Sequence, residues 1–260
     1  MQRITCAAIV ASVHARTGKT LLSRVLADYV MLSGENPMIF DTDALEQTLS
    51  ASFPTESLVV DIDQVRDQMR LFDNLAAASD DSRVVDLSHL AFRKFFNLMR
   101  DTDFIPEARS AGIEPVIFYI TNHDRRSLEE GCLLLDRFAD CTVVVVDNGY
   151  LRQPTSITRQ TSDYRTLRAH DLRLGMPALD AVAATVIEED PLLSLAEVLR
   201  QPMRPSVDDG DLVGQARAAI RSWVIRLFRE VHRLNELMDA RLAAEPIPPP
   251  WTPSPSRSNA

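Results

Sequence analysis

Ile4-Thr5-Cys6-Ala7-Ala8-Ile9-Val10-Ala11-Ser12 followed by Val13-His14-Ala15-Arg16-Thr17-Gly18-Lys19-Thr20 decides the fold. The first nine residues form a continuous run of apolar, small and β-branched side chains, which predicts a strand buried on both faces of a parallel sheet. From Gly18 to Leu32 the apolar residues Leu21, Leu22, Val25, Leu26, Tyr29 and Val30 recur at helical spacing, and Ser33-Gly34 ends the helix. Strand, loop, Gly-Lys-Thr and helix together predict a phosphate-binding loop, the alternative being a Gly-Lys-Thr that merely opens an ordinary helix. Backbone N–H groups and the positive end of the helix face the anion. The lysine reaches the terminal phosphates, and the hydroxyl ligates Mg²⁺.

The rest of the chain alternates in the same way. Strands are expected at Pro37 to Phe40, Ser57 to Ile62, Arg83 to Leu87, Pro115 to Thr121 and Cys141 to Val146. Helices are expected through Val65 to Leu75, Phe92 to Met99, around Ile105 to Ser110, and from Asp124 to Ala139. This order predicts an α/β fold: a mostly parallel sheet with helices on both faces, in three layers, ligands binding beyond the carboxyl ends of the strands. Leu151 to Pro177 breaks the pattern, and Leu179 to Ile187 is expected to return to the sheet. The expected organisation is a nucleotide-binding domain over 1–200, a linker over 201–211, an amphipathic helix over 212–242 with Trp223 on its apolar stripe, and a disordered Pro/Ser-rich tail over 243–260.

With 260 residues, 45% of them hydrophobic and 25% charged, the chain is long and apolar enough for a substantial core. The net charge of −9 argues against nucleic-acid binding by the surface as a whole. The cysteines Cys6, Cys132 and Cys141 form neither a disulfide framework nor a zinc spacing, and fit a reducing, cytoplasmic setting. Met1 to Ala15 has the outline of a short signal peptide. Its direct continuation into Thr17-Gly18-Lys19-Thr20 is better explained by a strand feeding a phosphate loop.

Strand, loop, helix and the Asp41-Thr42-Asp43 that follows the second strand resemble the ParA/MinD group of deviant Walker ATPases. That group typically reads Lys-Gly-Gly-x-Gly-Lys-Thr, and in the same frame this chain reads His14-Ala15-Arg16-Thr17-Gly18-Lys19-Thr20. Val13 stands where the general phosphate-loop pattern has its first glycine, so the loop's start is expected to differ from the standard nest. The resemblance implies an ATP- and Mg²⁺-binding protein that dimerises around nucleotide. His14 to Thr20 and Leu21 would hold phosphate, with His14 at the position of the lysine that crosses to the partner's nucleotide and Arg16 offering a substitute charge. Lys19, Asp41 and Asp43 would serve catalysis. Thr20 and Asp86 would serve the metal, with Asp61 and Asp63 competing for the role of Asp86. Asn148 would read the adenine, or else form a turn with Gly149. Thr121-Asn122 offers a second base contact or a helix cap, and each aspartate has helix capping as its structural alternative. No Asn-Lys-x-Asp motif for guanine is present.

Two arginine-rich stretches stand apart from these motifs: Arg152, Arg159, Arg165, Arg168 and Arg173, and the helix with Arg217, Arg221, Arg226, Arg229 and Arg233. They are candidate surfaces for DNA, acidic protein or anionic lipid cargo. The alternative is that the helix packs its Trp223 stripe on its own domain or a twin subunit and keeps its arginines solvated. Beside the leading reading of a nucleotide-dependent dimeric switch with ATP hydrolysis stand two others: a small-molecule kinase or ATP-dependent ligase, and a non-catalytic nucleotide sensor or scaffold.

Overall fold

The computed structural model describes residues 5–200 and 212–244. The predicted linker, most of the predicted tail and the first four residues lie outside them. Seven strands form one all-parallel sheet: β1 (Thr5–Ala11), β2 (Met38–Asp41), β3 (Ser57–Val59), β4 (Arg83–Asp86), β5 (Ile113–Thr121), β6 (Thr142–Asn148) and β7 (Arg173–Met176), in the order β3-β2-β4-β1-β5-β6-β7. β1 is central and pairs with both β4 and β5. Its side chains alternate between two cores: Ala8 and Val10 face one, Ala7, Ile9 and Ala11 the other. Burial on both sides is why this strand reads as an unbroken apolar run.

One face of the sheet is covered by α1 (Lys19–Leu32), α8 (Ala181–Glu189), α9 (Leu195–Arg200) and the long α10 (Leu212–Ala244), with α2 (Thr48–Ser52) at its edge. The other is covered by α3 (Val65–Ala76), α4 (Phe92–Asp101), α5 (Phe104–Ser110) and α6 (Arg125–Arg137), and α7 (Ser162–Ala169) packs beside α6. The expected three-layer α/β/α fold is therefore present. Among the described residues no helix is long and apolar enough to cross a membrane.

Two expectations are corrected. Leu151 to Pro177 does not interrupt the sheet: it supplies α7 and then the edge strand β7, whose four residues pair only with β6 and so lack the long apolar run of a central strand. The segment from Leu179 to Ile187 does not return to the sheet but forms α8. Asp180 caps that helix by accepting from the amides of Val182 and Ala183, and Ala181, Ala183 and Ala184 are strong helix formers. The short helix α2 follows from no periodicity in its five residues.

Charged groups fasten the layers. Arg24 on α1 donates to the carbonyls of Ile187 and Asp190 at 3.4 Å each, and also to that of Leu193. One turn further on, Asp28 accepts from the Ser194 hydroxyl at 3.0 Å and the Leu195 amide at 3.1 Å. The two residues thereby satisfy the end of α8 and the start of α9. Arg83, fully buried in β4, donates to the carbonyls of Asn74, Ala77 and Asp81 and so ties down the chain leaving α3.

The apolar stripe of α10 lies on its own domain. Ile220, Trp223, Leu227, Val231 and Leu234 are buried in the core shared with α1 and the sheet, and the Trp223 indole N–H donates to the Pro177 carbonyl at 2.7 Å. Trp223→Ala opens a cavity and orphans that carbonyl, so it is expected to cost about 3–5 kcal/mol. Urea denaturation of wild type and variant measures the difference.

Candidate functional site

Parallel pairing places the carboxyl ends of all the strands along one edge, and the candidate site is there. The register sets Val10 beside Asp86 and Asp86 beside Asp41, so the exits of β1, β4 and β2 are neighbours. The loop from Ser12 to Gly18 leaves β1 between them and starts α1. Gly18 has φ of 90° and Arg16 a φ of 55°. Both lie in the left-handed region, where glycine is comfortable and an L-residue carries roughly 1–2 kcal/mol of strain. Val13 needs no positive φ: it is buried in the core among the β1 and β4 side chains. The loop therefore departs from the usual pattern at its start, as its sequence predicts, and keeps its turn into the helix.

A cleft of about 130 Å³ is lined by Ala15, Arg16, Lys19 and Thr20 on one side and by Asp41, Asp43 and Asp86 on the other. Lys19 is only 8% exposed, and its ammonium donates to the His14 carbonyl at 2.9 Å, across the loop. Burial pulls its pKa below the ordinary lysine value, while Asp86 and Asp43 act to raise it. Thr20 Oγ1 donates to Asp86 Oδ2 at 2.6 Å, and Ser23 Oγ lies 3.3 Å from Asp86 Oδ1. Burial pushes the Asp86 carboxyl up to about 6. The Thr20 hydrogen bond opposes that rise, Asp41 adds to it, and Lys19 opposes it.

Asp41 and Asp43 brace the loop that follows β2. Asp41 accepts from the amides of Asp43 at 3.0 Å and Ser50 at 2.9 Å. Asp43 accepts from the amides of Leu45 and Glu46 with one oxygen, and its other oxygen lies 3.4 Å from the Ser88 hydroxyl. Between them, Thr42 donates its hydroxyl to the Asp86 carbonyl at 3.0 Å and accepts from the Ser88 amide at 2.8 Å. The loops after β2 and β4 are thus stitched together. Asp61 and Asp63 stand away from the cleft: Asp61 accepts from the Asp63 amide, and Asp63 pairs with Lys94.

The remaining predicted residues lie around the loop. Thr17 is buried, and Leu21 packs against the core on the α1 side. His14 Nε2 is 2.8 Å from Asp124 Oδ2 of the same chain, and Asp124 caps α6 by accepting from the Ser127 amide at 3.0 Å. Burial acts to raise the Asp124 carboxyl, but the Ser127 amide and His14 outweigh it and hold it below its ordinary value. Asn148 lies under the loop rather than in the cleft. It donates to the Thr17 carbonyl at 2.9 Å and accepts from the Tyr150 amide at 3.0 Å. Asn122 donates to Asp124 at 3.2 Å, beside the α6 cap.

Glu46, Thr48, Ser88 and His89 also line the cleft, and sequence reasoning singled out none of them. The available signal is adjacency, since Ser88 and His89 come directly after Asp86. Burial lowers the His89 pKa, with Lys19 adding to the fall, so the imidazole is neutral at pH 7. The thiols of Cys6 and Cys132 are pushed up by burial, to about 12 and about 11, and are not nucleophiles at neutral pH.

No protein-family model matches the chain, and no curated protein matches it. Among solved structures it is similar to a nucleotide-binding protein in complex with ADP from Archaeoglobus fulgidus, at 11% identity over 73% of this chain and 87% of that one, with a TM-score of 0.46. It is also similar to a plasmid partition protein from Borrelia burgdorferi, at 10% identity over 74% of this chain and 97% of that one, with a TM-score of 0.41.

The raised Asp86 pKa has a sign. In the folded chain the carboxyl holds its proton up to about pH 6, whereas in the unfolded chain it loses it near 3.8. Without cation or nucleotide, stability therefore falls as pH rises between these values. Above pH 6 it stays lower by about 3 kcal/mol from this group. Asp86→Asn removes the ionisation, so its stability relative to wild type is expected to be clearly higher at pH 8 than at pH 4.5. Urea melts at the two pH values measure this, and a pH-independent difference overturns the assignment.

Proposed function

We propose that this chain is an ATP-binding protein of the ParA/MinD-like phosphate-loop type, acting as a nucleotide-dependent dimeric switch with Mg²⁺-dependent hydrolysis. The observation that carries the reading is the group formed by Lys19, Thr20 and Asp86. A lysine, a hydroxyl and a buried carboxylate converge at the N-terminus of α1, where the backbone favours an anion. The cleft is smaller than the roughly 300–1,000 Å³ of a whole-ligand pocket. It suits the phosphates, and the nucleoside would lie outside it.

The residues also fit Mg²⁺. Asp86 is a buried carboxylate held next to a hydroxyl, a pair that gains from a cation beside it. Among the described residues no cluster of three His, Cys, Asp or Glu side chains could hold a metal alone, which agrees with an ion that takes most of its oxygens from phosphate and water. Thr20 would hold the ion directly and Asp86 would hold its shell. When bound, Mg²⁺ would neutralise charge on the terminal phosphates. Lys19 would exchange its bond to the His14 carbonyl for a phosphate oxygen. Asp43, fixed by the amides of Leu45 and Glu46, would orient an attacking water, and Asp41 would hold that loop in place.

Two exposed leucines support dimerisation over this edge. Leu45 follows the Asp41-Thr42-Asp43 stretch and is 87% exposed; Leu90 follows His89 and is 76% exposed. Both stand on the stitched loops beside the cleft, where a twin subunit would bury them. A second reading, a nucleotide sensor without turnover, is favoured by His14, which contacts Asp124 of its own chain.

Calorimetric titration of Mg·ATP into the full chain tests the binding claim. Wild type is expected to bind, and Lys19→Ala to bind at least about tenfold more weakly, the worth of a charged hydrogen bond. No binding by wild type, or equal binding by the variant, overturns it. Phosphate release under the same conditions separates a hydrolase from a sensor. In sedimentation, ATP is expected to drive a monomer–dimer shift that Leu90→Asp abolishes while ATP binding to the monomer persists.

A further inference from the structure

The amino-terminal edge of the sheet, opposite the phosphate cleft, carries a hollow. The C-terminal parts of α1 and α10 lie over the starts of β1, β4 and β5 there. Beneath them the central strand presents only Cys6 and Ala8, whose short side chains leave the space between the two helices unfilled. A cavity of about 410 Å³ results. Val84, Val116 and Phe118 form its floor with the small residues of β1, and Leu26, Val231 and Met238 form its walls.

The polar groups around this apolar hollow differ in whether they are satisfied. Arg83 is taken up by the carbonyls of Asn74, Ala77 and Asp81. Glu114 accepts from Arg109 with both oxygens, at 2.8 Å each, and from the Thr142 hydroxyl at 2.9 Å. His232 Nδ1 lies 3.1 Å from the Tyr29 hydroxyl, and its Nε2 is 3.6 Å from Glu236. Asp239, one turn beyond Glu236 on α10, forms no ion pair among the described residues. Both acids are exposed at the mouth of the cavity. A helix that only had to pack would stay apolar here, as α10 does from Ile220 to Leu234. Instead, Asn235, Glu236 and Asp239 face the cavity beside Met238.

We propose that this cavity binds a small organic ammonium ion with an apolar body. The body fills the hollow, and the ammonium group sits at the mouth against Glu236 and Asp239. The volume lies within the roughly 300–1,000 Å³ of small-molecule pockets, and apolar walls with a few polar groups at one end are their usual lining. The cavity itself carries the inference, and the acids select the sign of the head group. An ammonium group donates three hydrogen bonds, which the two carboxylates can accept. A carboxylate ligand would meet like charge there with no free base among the described lining residues to offset it. The site does not rest on the nucleotide reading, because Cys6 and Ala11 stand roughly 16 Å apart along β1 and the phosphate loop follows Ala11.

Calorimetric titration of octylammonium chloride, sodium octanoate and octanol into the full chain, each below its aggregation concentration, tests this. One octylammonium is expected per chain, bound about tenfold more tightly than octanoate, with octanol between them. Glu236→Gln combined with Asp239→Asn is expected to weaken octylammonium about fivefold and to leave octanol unchanged. Cys6→Leu extends the floor into the hollow and is expected to abolish binding of all three. Val30→Phe, which narrows the cavity from α1, should give the same loss and serves if Cys6→Leu lowers the melting temperature. Lys19→Ala is expected to bind octylammonium as wild type does, so failure of the nucleotide reading and failure of this one are separate results. The proposal is overturned if wild type binds no octylammonium, if octanoate binds as tightly, if the acid variant holds octylammonium as before, or if both filled variants still bind it. An affinity that falls as protein concentration rises would show a second copy of the chain taking the hollow, and would also overturn it.

Discussion

The parallel register of β2, β4 and β1 is the constraint on which the site depends. In a parallel sheet the strand ends fall on one edge only if neighbouring strands are in step, and here Asp41, Asp86 and Val10 lie abreast. A slip of one residue would turn Asp86 toward the opposite core and take it from Thr20 and Ser23. Everything polar in the cleft is then arranged by short bonds around that edge. Thr42 joins the two acidic loops, and Thr20 joins the phosphate loop to β4. The loops are local, but their relative positions are properties of the sheet.

Burying so much charge at a strand edge carries an energetic penalty, and the chain meets it unevenly. Arg24, Asp28 and Arg83 are surrounded by backbone partners and serve as fasteners between layers. Asp86 has two hydroxyl partners, yet burial still dominates and its carboxyl is raised. Fasteners satisfy their neighbours. Burial raises the Asp28 carboxyl too, so the difference lies in the partners: Asp28 is held by a backbone amide and a hydroxyl across two helices, whereas Asp86 is held by hydroxyls that line the cleft.

Central features were legible in the sequence because burial on both faces writes itself into composition. β1, β5 and β6 are apolar for that reason, and acids at or just beyond strand ends point to the edge where Asp41, Asp43 and Asp86 meet. β7 was hidden because Arg173-Leu174-Gly175-Met176 is an edge strand with one neighbour. The Ala-Val-Ala-Ala-Thr-Val-Ile run of α8 misled because a short apolar stretch has no decisive period, and Asp180 settles the matter as a cap. Ser88, His89 and Glu46 sit in loops and Thr48 opens the five-residue helix α2, where periodicity says nothing. Both arginine segments were visible. That Arg159 and Arg168 come near Arg226 and Arg229 was not, because α10 packs on the unrecognised strand β7.

Gly18 is held by two unrelated demands. Its φ of 90° excludes most side chains, and a Cβ there would lie 2.7 Å from Asn148 Nδ2 and 2.9 Å from Met176 Cε. Relieving the crowding by shortening Asn148 would release the Thr17 carbonyl and leave the backbone strain untouched. No single compensating change restores the position. Among diverging descendants of this chain, residue 18 should therefore be frozen, while positions 148 and 176 drift only together with the packing beneath the loop.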